Sequence, residues 1–594
     1  MAKQQKKKTF RVGTYLNPYG WLLFFGPFTK AIEAATEIII PYMMAKIIDK
    51  GIINNDMPYI YTMAGIILGL NLLGIVMAVI AQKCSTVASE GVARSIRKDM
   101  YAHINTYSHA ELDGFTPASL VNRTINDVGQ VKNAVSSTMR LVTRAPFLLV
   151  GSAVMALLID LQLSAIFLAV IPVITLTIVF VTKKTFPYYE KYKVELDQLS
   201  NITRENLSGV RVVRAFNKEE YETERFHNKN DSLSKIDSKV VKITSVLQPI
   251  IYMVVNFSVA ALVAWGGLRV NVGGLTTGEV IAFINYFTQI SGALVTIARM
   301  VTMYTRLSAA TKRIDEVMSI SNSIADPKKC YEYDAERVDG TGAKITFENV
   351  NFSYGTSKDA VKNMSFELLP GQTLGIIGGT GSGKSTLVNL IPRLYDVKNG
   401  QVLIDDVNVK NYKVEDLRKI VGMVPQNVVL FEGTIESNLK WRKEDATEEE
   451  LVKALRIAQA YDFVKEKPKF LKTKVTRGGT NFSGGQKQRL TIARALVGNP
   501  RILILDDSSS ALDLATDSKL RNALKTSMKS TTKILVSQRA TSLMHADKII
   551  VLSAGEAVDI GTHDELLARC ELYQEIYNSQ QNNAKQPQTQ GGDK

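Results

Sequence analysis

The chain has 594 residues, 45% of them apolar, with a formal charge of +15 and a mean hydropathy of +0.01. The length excludes a single small domain, and the three cysteines, Cys84, Cys330 and Cys570, are too dispersed for a disulfide framework or a cysteine metal site. A basic balance suits either nucleic acid or the positive cytoplasmic loops of a membrane protein, and no lattice of basic and aromatic residues fit for nucleic acid is visible.

The near-zero mean hides a split: long apolar blocks fill the first half, whereas the second half is mixed like a soluble domain. Residues 1–18 form a basic, polar segment expected to be cytosolic. The apolar run that follows lacks a small-residue cleavage pattern and is too long for a signal peptide, so it is read as a span that stays. Six stretches, 19–48, 59–81, 141–159, 163–181, 246–268 and 280–302, approach or exceed the ~20 residues a bilayer requires. The intervals 49–58, 160–162 and 269–279 are short and nearly free of Lys and Arg. The long ones, 82–140 and 182–245, are basic, with Arg94, Arg97, Lys98, Lys183, Lys184, Lys191 and Lys193. The positive-inside rule therefore puts the N-terminus, the long intervals and the second half in the cytoplasm. The membrane domain is expected over 19–320 as a six-helix bundle.

The long intervals alternate charged and apolar residues at helical spacing and should extend the spans far into the cytosol. Each has a break, one near 109–117 with Gly114 and Pro117, the other near 208–217 with Arg211, Arg214 and Phe216. Such a segment is either a plain surface turn or a docking element for the soluble half. Inside the spans, Lys30, Glu33 and Glu37 share one helix face. They would either bind helices together or line a polar cavity. Gln248, Tyr252, Asn256, Phe283, Tyr286, Phe287 and Gln289 mix aromatic and amide groups, suiting an amphipathic ligand or simple packing.

A charged linker at 321–343 leads to an α/β domain expected over 344–577. The strand 373–377 runs into Gly378-Gly379-Thr380-Gly381-Ser382-Gly383-Lys384-Ser385, the G-x-x-x-x-G-K-S pattern. Its glycines let backbone N–H groups wrap phosphates, Lys384 reaches the β- and γ-phosphates, and Ser385 ligates Mg²⁺. From Thr386 the chain reads as a helix whose N-terminus faces the anion. A second apolar strand, 502–505, ends in Asp506, a carboxylate delivered to Mg²⁺. ATP and Mg²⁺ are the expected ligands. The tail, 578–594, is Gln- and Asn-rich and expected to lack order.

Phe482-Ser483-Gly484-Gly485-Gln486 resembles the signature motif of ABC proteins, and the remaining motifs follow in that family's order. Tyr354 stands where the family stacks an aromatic on adenine, Gln426 matches the Q-loop, and Ser510-Ala511-Leu512-Asp513 matches the D-loop. Residues 205–217 resemble the second intracellular loop of exporters. The resemblance covers nearly the whole chain and implies half of an exporter in a cell membrane, bacterial in this architecture. Two such chains close head to tail, each ATP lying between one P-loop and the other chain's signature, and the breaks become coupling helices. The absence of a peptidase domain ahead of the first span weighs against a peptide processor-exporter.

Three positions depart from the family pattern. Asp507 replaces the usual Glu after the Walker B acid and is shorter by one C–C bond, about 1.5 Å. Gln538 replaces the switch histidine and can hydrogen-bond a γ-phosphate without carrying a proton or positive charge. Arg477 stands where exporters often place Glu. Because Asp507 and Gln538 serve the chain's own site while the signature is intact, the expected assembly is a heterodimer. This chain would hold ATP, and its signature would complete the partner's active site. Multidrug-type or lipophilic substrates are expected. The alternatives are an ATP-gated channel or sensor subunit, or a homodimeric lipid flippase with slow ATPase.

Overall fold

The computed structural model describes residues 10–333, 341–355, 357–508 and 511–585. The chain divides into two compact units, Met1–Asn105 with Pro117–Ile320, and Thr106–Thr116 with Ser321–Lys594.

The first unit is helical, with α1 (Gly20–Lys46), α2 (Met57–Ile104), α3 (Thr143–Ile159), α4 (Leu161–Ala215), α5 (Glu219–Ser245), α6 (Leu247–Asn271) and α7 (Thr277–Met318) as its long elements. Side-chain caps fix several starts. Asp56 accepts from Tyr59 N at 3.1 Å before α2, Asp160 from Leu163 N at 2.7 Å before α4, and Thr276 forms a capping box with Glu279 before α7. Among the described residues five helical runs are long and apolar enough to cross a membrane: Met57–Ile104, Pro117–Ile159, Leu161–Ala215, Glu219–Asn271 and Thr277–Met318. At 27 residues α1 is about 40 Å long, but its mid-helix charges Lys30, Glu33 and Glu37 leave it short of the apolar composition. The count of six expected from sequence therefore stands at five by composition.

The helices run well past their apolar stretches. α4, with 55 residues, spans about 80 Å. The break expected near 208–217 comes at the far end of that stretch: α4 stays helical to Ala215, because 208–215 holds no proline and a single glycine. The chain turns at Asn217, whose φ of +52° is left-handed, a conformation Asn tolerates. Ion pairs Arg225–Glu205 (3.0 Å) and Lys229–Glu195 (2.6 Å) join α5 to α4. Arg211 and Arg214 lie on the exposed last turns of α4, and Phe216 just beyond is 70% exposed.

Phe283, Tyr286 and Phe287 are buried in the core of this unit, not set around a cavity. Phe167 stacks against Phe283 and Phe287 at 5.1 and 5.6 Å, and the Tyr286 hydroxyl donates to Ile38 O at 2.9 Å. Packing thus won over ligand lining at these three positions, as it commonly does for aromatics at helical spacing.

Two larger sheets and a small two-stranded one, Gly433–Thr434 with Lys474–Val475, make up the described strands of the second unit. Strands β1 (Ile345–Phe352), β2 (Val361–Leu368), β4 (Asn399–Ile404) and β5 (Val407–Asn408) form one in the order β2-β1-β4-β5. The other comprises β3 (Thr373–Gly378), β6 (Val421–Val424), β7 (Ile502–Asp506), β8 (Thr532–Val536), β9 (Lys548–Ser553) and β10 (Glu556–Gly561), ordered β10-β9-β3-β8-β7-β6. It is parallel apart from the β9–β10 pair. The apolar runs of β3 and β7 are buried throughout, as parallel strands covered on both faces must be. Helices α8 (Lys384–Asn389), α9 (Gly484–Leu496), α10 (Leu514–Ser527) and α11 (Glu571–Lys585) complete the elements that matter below.

Two stretches behave differently from expectation. The described part of the linker lies on this unit: Tyr331 N donates to Asn411 O at 2.8 Å, and Val414 N to Asp326 at 2.8 Å. The tail is not without order from residue 578, since α11 continues to Lys585; residues 586–594 lie outside the described residues. Tertiary hydrogen bonds from Gln580, described below, explain the extra turns better than the polar composition does.

Candidate nucleotide-binding site

The parallel sheet brings distant residues together. β8 lies between β3 and β7, with Val536 paired to Ile376 on one side and to Asp506 on the other. The carboxyl ends of three adjacent strands, about 4.8 Å apart, therefore deliver the glycine loop, Asp506-Asp507 and Ser537-Gln538 to one edge. Ligands of open α/β sheets bind at this edge. Here it forms a cleft of about 320 Å³ lined by Tyr354, Thr380, Gly381, Ser382, Gly383, Lys384, Ser385, Thr386, Gln426, Asp506, Asp507 and Gln538, with Ala360 and Val536. Every expected P-loop residue except Gly378 and Gly379 thus lines it. Those two supply carbonyls that accept from Lys384 Nζ at 2.9 and 2.7 Å.

Backbone demands explain the glycines. Gly383 has a φ of +98°, and a Cβ there would lie 2.5 Å from Ala360 O. A Cβ on Gly378 would lie 2.2 Å from Leu552 O. Neither position tolerates a side chain. The helix after the loop begins at Lys384, two residues earlier than expected.

Burial pushes the Lys384 ammonium down from its ordinary value, against the opposing pull of Asp507 and Asp506. Burial pushes Asp506 up; the Ser385 hydroxyl, which donates to it at 3.1 Å, and Lys384 pull it down, while Asp507 adds to the rise. Asp507 is likewise raised by burial, opposed by Lys384 and Arg539. The cleft is a partly dry cluster of opposed charges, fit for a cation and a polyanion together.

Magnesium fits these donors. Ser385 Oγ and Asp506 Oδ1 are 3.1 Å apart, close to the ~3 Å between adjacent oxygens around an ion that holds each at about 2.1 Å. Gln426, whose side chain carries an amide oxygen, lines the same cleft. Among the described residues no cluster of His, Cys, Asp and Glu suggests another metal site.

Tyr354 closes one side of the cleft. Its hydroxyl lies 3.0 Å from Thr386 Oγ1, and its ring meets Phe352 and Tyr395 edge-on at 4.9 and 5.3 Å. Sequence reading missed Tyr395, whose hydroxyl donates to Asp113 at 2.8 Å and whose ring meets His109 at 5.8 Å. The 106–116 segment, the first of the two expected breaks, therefore packs within the ATPase unit. Glu111 accepts from Ser323 N at 3.1 Å and from Ser108.

The signature lies elsewhere. Ser483 caps α9 in a reciprocal pair with Gln486 (3.1 and 3.3 Å). Ser483 and Gly484 are exposed, Gly485 and Gln486 partly so, and none of the four lines the cleft. Asp513 caps α10, accepting from Thr516 N and Thr516 Oγ1 at 2.8 Å each. Ser510 lies outside the described residues.

In the membrane unit, Lys30 pairs with Glu33 at 2.6 Å, and Arg144 pairs with Glu37 at 2.6 Å and reaches Glu33 at 4.0 Å. Glu37 and Arg144 also line a cavity of about 510 Å³ with Asn285, Gln289 and Thr296. Glu37 both joins the charged cluster and lines this cavity, whereas Glu33 joins the cluster without lining it. Arg144 was passed over in sequence although it stands as a lone charge within the apolar stretch 141–159. Gln248, Tyr252 and Asn256 are exposed along one face of α6 and do not line this cavity.

A helical membrane unit in one chain with a P-loop ATPase unit carrying an exposed signature defines an ATP-driven transporter. Residues 23–294 match the ABC transporter transmembrane region and residues 361–510 the ABC transporter family, and the chain belongs to the ABC transporters. It is 34% identical over 573 residues to the uncharacterized ABC transporter ATP-binding protein YfiB of Bacillus subtilis, covering 96% of this chain and 98% of that one. It is 30% identical to an ATP-dependent lipid A-core flippase of Desulfotalea psychrophila over 95% of this chain and 97% of that one. A bacterial Atm1-family ABC exporter with ATP bound shares the fold, with a TM-score of 0.77 over 96% of this chain and 98% of that one at 23% identity.

Proposed function

We propose that this chain is one subunit of a heterodimeric exporter of amphipathic, lipid-like or multidrug-type molecules, and that its own P-loop site holds ATP but cleaves it slowly. One observation carries the reading: Asp507 and Gln538, the two departures from the family pattern, both line the chain's own cleft, whereas the intact signature is exposed outside it. In an assembly of two chains Ser483, Gly484, Gly485 and Gln486 would complete the partner's site, with Asp513 beside them. The Asp507 carboxylate is about 1.5 Å short of a glutamate's reach, and misplacement of that order lowers the benefit of a positioned base, typically ~10²–10⁴-fold. Mg²⁺ would be held by Ser385, Asp506 and Gln426.

The remaining assignments follow from this frame. α1 crosses the membrane as the sixth span, its charges paired within the bundle, and the ATPase unit lies on the cytoplasmic side of a bacterial inner membrane. The cavity with Glu37 and Arg144, and the α6 face with Gln248, Tyr252 and Asn256, receive the substrate's polar and apolar parts. The relative named as a lipid flippase supports an amphiphile of lipid type. Arg211, Arg214 and Phe216, exposed at the end of α4, act as the second coupling element. ATPase activity of the purified chain alone, and after co-expression with a candidate half-transporter, tests the proposal. The expected result is little turnover alone and vigorous turnover together; vigorous turnover by the chain alone would refute the heterodimer.

A further inference from the structure

α11 reaches back to the nucleotide cleft through one side chain. Gln580 Nε2 donates to Gln538 O at 2.7 Å, and Ala540 N donates to Gln580 Oε1 at 2.9 Å. A single carboxamide thus uses its donor and its acceptor on the backbone either side of Arg539. The loop it grips follows β8, and its first anchor is Ser537 N, which donates to Ile376 O at 3.1 Å. Gln538 lies between these anchors, with its side chain lining the cleft and its own carbonyl tied to α11.

We propose that Gln580 is a positioning residue that fixes the switch loop, so that the Gln538 amide is aimed at the terminal phosphate of bound ATP. The inference rests on the reading of Gln538 as a γ-phosphate contact. A glutamine side chain has three rotatable bonds and no charge to draw it to the phosphate, so its aim depends on where its backbone is held. The peptide unit that follows Gln538 is held on both its groups: its carbonyl accepts from Gln580, and the Arg539 N–H donates to Ser537 Oγ at 3.0 Å. α11 is secured independently by the buried Tyr573, whose hydroxyl lies 2.8 Å from His563 Nδ1, so it is a firm base for the grip. The neighbouring Gln581 instead bonds to Tyr577 within α11, at 2.8 Å.

The test is ATP-versus-ADP discrimination at this chain's site, because only ATP carries the phosphate that Gln538 would meet. The full-length chain, with its partner subunit where one is required, is reconstituted in lipid nanodiscs. ATP or ADP competes with a photoreactive ATP analogue, and labelling is read on this chain's own gel band. Gln580→Ala should weaken ATP about 3–10-fold, the scale of one or two lost orienting hydrogen bonds, and leave ADP unchanged. Gln580→Met, which keeps the bulk but no amide, should do the same, and Gln581→Ala should do nothing. Gln538→Ala should lose the same discrimination, and the double variant should lose no more, since both act on one contact. If Gln538→Ala changes the ratio and the Gln580 variants do not, the positioning role is wrong. An equal loss of ATP and ADP also overturns it, because that marks general damage. If Gln538→Ala itself leaves the ratio unchanged, the γ-phosphate reading of Gln538 fails and this inference falls with it.

Discussion

Asp507 has a φ of +46°, in the left-handed region that few non-glycine residues adopt. The backbone there is fixed by its N–H, which donates to Val536 O at 3.0 Å, so a longer side chain would extend into the cleft from the same base. Asp507→Glu should therefore raise single-turnover phosphate release from this chain's site by about 10–10²-fold, read by rapid-quench assay, with ATP affinity little changed. Gly383→Ala is expected to act in the opposite direction. A Cβ 2.5 Å from Ala360 O at a φ of +98° forces the loop to shift, and equilibrium binding should show a loss of ATP affinity of at least about 10-fold. These residues were legible in sequence because glycine spacing and a strand-ending acid are local patterns with one structural solution. Arg144 and Tyr395 were not, because their roles depend on partners, Glu37 and Asp113, that lie 107 and 282 residues away.

At the scale of elements, the 106–116 segment shows how a break in a helix acquires a role. Turn residues mark where the chain leaves α2, but only the tertiary bonds say where it lands. Glu111 is central to that landing. Burial pushes its carboxyl up, but hydrogen bonds from Ser108 and Ser323 outweigh this and hold it below its ordinary value. A group with a depressed folded value adds stability above the unfolded value, about 4.3, and loses it as pH falls through the folded one. Wild type should therefore unfold at a higher temperature than Glu111→Gln at pH 6. The gap should close in acid, as differential scanning calorimetry of the two proteins between pH 6 and 3 would show. α11 makes the complementary case. Its last turns carry Gln, Asn and Ser with little apolar periodicity, so composition read as disorder, and the hydrogen bonds of Gln580 that anchor them were invisible to any local pattern. The break expected near 208–217 falls only at the end of that stretch, because one glycine without a proline is too weak to end a helix braced by ion pairs to its neighbour.

For the whole molecule, the arrangement of motifs predicts a division of labour between the two ATP-handling surfaces of a single chain. The sheet gathers the P-loop, Asp506, Asp507 and Gln538 at one edge. Ser483 to Gln486 stand at the start of α9, outside that cleft, with Ser483 and Gly484 exposed. If each ATP is completed by a second chain, damaging the two surfaces must have different effects. Lys384→Ala removes a buried cation from this chain's own cleft, so it should abolish ATP labelling of this chain while most turnover of the assembled transporter persists. Ser483→Arg places a bulky cation at the exposed signature. It should leave ATP labelling of this chain intact and lower total turnover by ~10²-fold or more, comparable to loss of a preorganised phosphate donor. In a homodimer of this chain every site contains both surfaces, and each substitution alone would abolish turnover. ATPase rate and chain-resolved labelling, measured on the same two variants, therefore separate the heterodimer from the homodimer, because only unequal sites allow Lys384→Ala to be tolerated where Ser483→Arg is not.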